Sequence, residues 1–142
     1  MRAEQLSRSW RRHRSLDFVG HSLTELTEAE KWAVDTGHLV AECQSLLGRE
    51  LTAYVGGIDD PRQLGRVLDQ ADPVSRAARE RLETARRILR VFSESHAARA
   101  RAWLRGVSPF FGGRAPATMI RSSETAKARD AVYRRAELAA AL

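Results

Sequence analysis

From residue 27 onward, apolar positions recur every three or four residues, the repeat of helices that each bury one face. Thr27 followed by Glu30 has the spacing of a capping box, in which the hydroxyl accepts the N3 amide and the carboxylate reaches back to the cap amide. A helix is therefore expected to start there. Trp32, Val40, Cys43 and Leu47, with Leu39 and Leu46 alongside, sustain the repeat until Gly48 interrupts it. Two shorter segments follow, 50–55 and 61–70, separated by Gly56-Gly57-Ile58-Asp59-Asp60. Gly56 or Gly57 can take the positive φ that ends a helix, and Asp60 can cap the next one with Pro61 at its first position. Asp72 and Pro73 repeat that signal and open a long helix to about Ser93, with Val74, Ala78, Leu82, Ala85, Leu89 and Phe92 on one face and arginines on the other.

Ser95 is the expected cap of a shorter helix through Trp103 and Leu104, closed by Gly106. The run SPFFGGRAP, 108–116, is too rich in Pro and Gly for regular structure and predicts a compact turn. Pro116 then starts a short helical segment through Ile120, and 124–141 form the last helix, with Ala128, Val132, Tyr133 and Ala136 as its inner face. No segment alternates as a strand does. Seven helical segments with short connections predict an all-α fold, a compact multi-helix domain in which a helix-turn-helix-like pair precedes a C-terminal helical region. Three regions are expected: a basic arm at 1–22, a helical region with the helix pair at 23–74, and a C-terminal region at 75–142.

Composition sharpens this. A chain of 142 residues with 43% hydrophobic content suits one main core. Cys43 has no second cysteine to pair with and no Cys/His spacing fits zinc, so a reducing, cytoplasmic setting is the simplest expectation. No stretch approaches the roughly 20 apolar residues of a membrane span. The net charge of +6 divides into +4 over 1–16, −7 over 17–72 and +9 over 73–142. Such asymmetry favours an anionic partner, either nucleic acid or an acidic protein surface. The arm, with Trp10 among Arg8, Arg11, Arg12, His13 and Arg14, reads as a solvated tail or a nucleic-acid-binding arm.

Catalysis has little to stand on. His13, His21, His38 and His96 lack neighbours at ligand or triad spacing, and Asp59, Asp60, Asp69 and Asp72 are explained more simply by capping than by a carboxylate site. Neither a cofactor nor a metal is expected, nor an enzymatic activity. In a helix-turn-helix the first turns of the second helix reach base edges, and here those positions are Arg62, Gln63 and Arg66. The surrounding acidic residues oppose phosphate, which leaves DNA binding and plain packing both open for this pair.

The most distinctive stretch runs from Trp103 through Ser108-Pro109-Phe110-Phe111-Gly112-Gly113-Arg114-Ala115-Pro116 to Met119-Ile120-Arg121. It resembles the toxin-binding domain of the Xre/MbcA/ParS antitoxins, whose pattern is Trp, a Pro-Asn pair, an apolar residue with Gly-Gly-Arg-x-Pro, an apolar helix, a short break and a final helix. Trp103, Pro109, Gly112, Gly113, Arg114, Pro116 and Ile120 match, whereas Phe110 stands where Asn is common and Phe111 where Leu is usual. The resemblance spans about 75–142 and places the helix pair where the family has its helix-turn-helix. It implies an antitoxin that neutralises a RES-domain toxin, an NAD-degrading enzyme, by binding over its active-site cleft, and that also acts on the promoter DNA of its own operon.

On the residues alone, the two glycines and two prolines make a rigid turn over Trp103 and at least one phenylalanine, leaving the other, with Arg114 and Arg121, to face a partner. The final helix carries Lys127, Arg129, Arg134 and Arg135 and ends in an apolar tail with Leu138 and Leu142. This helix and tail either enter the toxin's cleft, with cationic side chains where the phosphates of NAD would lie, or cover the chain's own core or a homodimer seam. Either a homodimer or a hetero-oligomer with the toxin is expected. The alternative function is a helix-turn-helix transcriptional regulator with no toxin partner.

Overall fold

The computed structural model describes residues 27–69 and 74–142, and in them the chain forms seven α-helices: α1 (Glu28–Leu47), α2 (Arg49–Gly56), α3 (Gln63–Leu68), α4 (Arg76–Phe92), α5 (Ala97–Arg105), α6 (Pro116–Arg121) and α7 (Ala126–Ala140). The fold is all-α. The expected arm at 1–22 and the Asp72-Pro73 cap lie outside the described residues.

Local chemistry sets the helix ends. Thr27 Oγ1 accepts the Glu30 amide at 3.1 Å, the hydroxyl half of the expected capping box. α4 starts later than its Asp-Pro signal, because Ser75 Oγ accepts the Ala78 amide at 3.1 Å. α3 is likewise shorter than 61–70. Asp60 Oδ1 accepts the Arg62 amide at 3.0 Å, and the resulting tight turn uses up Pro61 and Arg62 before the helix begins at Gln63. Ser95 does not cap α5: its hydroxyl lies 3.0 Å from Ser93 Oγ, and a 3₁₀ turn over Glu94–His96 delays the helix to Ala97. Thr125, rather than the region before Glu124, caps α7 by accepting the Ala128 amide at 3.1 Å.

α4 is the central element, packed against α1, α2, α5, α6 and α7. Its expected apolar face is buried in full, with Ile88 added to it. One continuous cluster joins Leu39, Val40, Cys43 and Leu47 of α1 to Leu82, Ile88, Leu104, Ile120 and Val132, so 27–69 and 74–142 share a single core. α7 corrects its expected inner face at one place. Ala128 is exposed and Arg129 is buried instead, its guanidinium 2.9 Å from Glu80 Oε2. An arginine can take such a place when its stem packs in the core and its charge meets a carboxylate. α3 packs on α1 rather than forming a close pair with α2, which differs from the helix-turn-helix outline.

Candidate protein-binding surface

The SPFFGGRAP segment is a closed loop. Ser108 N donates to Arg114 O at 3.1 Å and Gly113 N to Ser108 O at 2.9 Å, an isolated antiparallel bridge across its neck. Pro109–Phe111 make one 3₁₀ turn, started by Ser108 Oγ accepting the Phe110 amide at 3.2 Å. Gly112 and Gly113 then both take positive φ, 64° and 81°, which turns the chain back so that Pro116 can open α6. Side chains with a Cβ avoid that conformation, so the glycine pair is what closes the loop.

The two phenylalanines part company at this turn. Phe111 is half-buried against the core together with Trp103, whose ring centroid lies 6.0 Å from that of Phe92. Phe110 is 65% exposed. It is not left bare, because Arg135 from α7 lies across it with the guanidinium carbon 3.3 Å from the ring centroid. That stack joins the loop to the C-terminal part of α7. Leu138, three residues beyond Arg135 on the helix, is 60% exposed, and Leu142, just past the end of α7, is 99% exposed. Val107, at the loop's entrance, is 76% exposed. Arg114 and Arg134 are also exposed. Of the proposed partner-facing residues, Phe110 and Arg135 are therefore in contact, with Leu138 about one turn further along α7.

Arg121 does not belong with them. Its guanidinium donates to Tyr54 O at 2.8 Å, pairs with Asp59 Oδ1 at 3.0 Å and lies over the Tyr54 ring. It is a strut between α6 and the end of α2. Several other arginines do comparable work: Arg81 donates to Gly56 O and Ser123 O, Arg101 to Leu46 O, and Arg99 to Ala139 O and Ala140 O. Each meets carbonyls at or near a helix C-terminus, where no amide of the next turn remains to satisfy them and the helix dipole favours a cation. The basic C-terminal half is thus partly an internal scaffold, and its arginine count overstates the charge offered to a partner.

Gln63 and Arg66 are exposed on α3, and Arg62, exposed at its N-cap, is held by Asp60 through Nε and Nη2 at 3.1 Å. That contact holds the Asp60 carboxyl below its ordinary range and lifts Arg62 above its own. Elsewhere, burial pushes the Cys43 thiol up to about 12. No group of His, Cys, Asp and Glu among the described residues could hold a metal ion, and no helix there is long and apolar enough to cross a membrane.

No protein-family model, curated protein or solved structure matches the chain. The surface must therefore be judged on its own residues. One feature escaped the sequence pattern: Ser93 Oγ lies 2.9 Å from His96 Nδ1, with Ser95 Oγ 3.3 Å from the same nitrogen. All three side chains are exposed, and their contacts close the corner between α4 and α5. The Phe110–Arg135 stack escaped it as well, since nothing in the spacing of residues 25 apart marks them as neighbours.

Proposed function

We propose that this chain is an antitoxin that binds a RES-domain toxin, an NAD-degrading enzyme, over its active-site cleft and performs no chemistry of its own. The single observation that carries the reading is the joining of the GGR loop to the end of α7 by the Phe110–Arg135 stack, with Leu138, Leu142 and Val107 exposed on the two segments that it joins. Exposed apolar side chains close to an aromatic and an arginine have the composition of an interface core. The Trp103 to Ile120 pattern supplies the partner's identity. Five of the seven matching residues also have a local task here: Trp103 packs on Phe92, Gly112 and Gly113 turn the chain, Pro116 begins α6 and Ile120 is fully buried.

Inhibition by such a surface needs only steric cover and complementarity. Promoter binding by Arg62, Gln63 and Arg66 would be a second activity of the same antitoxin, acting on its own operon. A regulator without a toxin has less support, because α3 is six residues long and the surrounding segment is acidic.

The test is co-expression with a RES-domain toxin from a neighbouring gene of the same operon, if the operon encodes one. The expected result is that growth arrest is relieved and the two proteins co-purify. Persistent arrest with no co-purification would overturn the reading. Leu138→Asp should abolish rescue while the melting transition stays in place, since Leu138 is exposed. Truncation after Arg135 is a poor substitute: it removes the buried Ala136 and the carbonyls that Arg99 holds.

A further inference from the structure

Arg135 is coordinated differently from the arginines around it. Arg81, Arg99 and Arg101 donate to backbone carbonyl oxygens, and Arg121 to a carbonyl and to the Asp59 carboxylate. Arg135 uses only the flat face of its guanidinium, laid on Phe110, and its donors meet no acceptor among the described residues. A planar cation stacked this way is fixed in orientation while its edge, a fork of N–H groups, stays available for a two-oxygen acid. We propose that the Phe110–Arg135 stack is a carboxylate receptor, and that the partner it fits is a protein with an apolar patch bordered by Asp or Glu. The inference rests on the antitoxin reading and specifies which chemistry of the toxin is met.

Carboxylate and phosphate both match the fork, and the surroundings decide between them. Exposed Leu138 lies one turn beyond Arg135 on α7, exposed Leu142 follows the end of the helix, and exposed Val107 stands three residues before Phe110. A nucleic-acid backbone offers charge but nothing to cover those side chains, whereas a protein surface offers both. A second copy of this chain fits poorly: a two-fold contact here would set Arg134 and Arg135 against their counterparts, with Glu137 the neighbouring carboxylate on the helix. The phosphate subsites of an NAD-binding cleft fit poorly too. A pocket that holds a pyrophosphate is lined with cations and amide donors, which repel a guanidinium. On this reading Arg135 meets acidic groups of the toxin rather than standing in for the phosphates of NAD.

Isothermal calorimetry of the full chain with the purified RES-domain protein tests this with three variants. Arg135→Gln removes the charge, Arg135→Lys keeps the charge but loses the fork, and Phe110→Ala removes the platform. Neither site is buried, and an unchanged melting transition verifies the fold. The expected result is a loss of about tenfold or more in affinity for both Arg135 variants, and a smaller loss for Phe110→Ala. Lysine as good as arginine, or all three variants binding like the parent, would overturn the receptor while leaving the antitoxin reading intact. No binding by the parent chain would overturn both. The same variants in a gel shift with promoter DNA form the last arm: if Arg135→Gln loses DNA and keeps the toxin, the fork reads phosphate and the proposal is wrong.

Discussion

Ser93 has a φ of 65°, the one positive value outside glycine among the described residues. A residue with a Cβ is strained there, and the contacts of its hydroxyl with Ser95 and His96 are exposed ones that water can replace. Ser93→Gly should accordingly stabilise the chain by roughly 0.5–1 kcal/mol, read from the denaturant midpoint; a loss of stability would mean that the hydroxyl contacts outweigh the strain. Cys43 gives a second residue-scale prediction. Its thiol is buried beneath α4, and desolvation above all, with the charge of Glu42 adding to it, raises its pKa from 9.0 to about 12. The folded state holds this proton more tightly than the unfolded one. Its contribution to stability is therefore complete below pH 9 and is lost as the pH rises from 9 toward about 12. Iodoacetamide at pH 8 should leave the native protein unlabelled and modify it only in denaturant; rapid native labelling would contradict the burial.

The α2 terminus shows what an element needs beyond its own sequence. Gly57 ends the helix with φ 76°, and a Cβ placed there would lie 2.7 Å from Arg81 Nη1, the group that donates to Gly56 O. Gly57→Ala should cost about 1–2 kcal/mol from the left-handed conformation alone. Arg81→Met should cost about 2 kcal/mol through two unsatisfied carbonyls. The double variant should cost less than the sum, because both changes release the same strut; additive losses in a double-mutant cycle would deny the coupling. Much at this scale was legible in advance. The three long helices were visible as apolar positions at helical spacing, the shorter ones from their caps, prolines and glycines, and Thr27, one of the Gly56-Gly57 pair and Gly106 begin or end helices as their chemistry suggests. Boundaries slipped where two signals competed, as at Ser75 beyond the Asp-Pro pair and at Thr125 beyond Glu124. The work of the arginines was not legible. Arg121 meets a carbonyl 67 residues away and Arg81 one 25 residues away, and a backbone acceptor leaves no mark in the sequence of its partner.

For the molecule as a whole, one core formed around α4 holds the loop at 107–114 and the end of α7 in fixed relation, and the function proposed here depends on that fixity. Pre-organisation of this kind lowers the ordering cost of binding, since loop and helix are already joined through Phe110 and Arg135. The candidate residues could be picked from the sequence, but their sorting into Phe110 outside and Phe111 inside, or Arg135 available and Arg121 engaged, required the fold. The most direct measurement is the rate of NAD consumption by the purified RES-domain protein as the intact chain is titrated into it. For a complex of nanomolar affinity, about −12 kcal/mol, activity should fall in proportion to added chain and vanish at a fixed molar ratio. Leu138→Asp should leave the enzyme active at that ratio. NAD consumption unchanged by an excess of the chain would contradict the account.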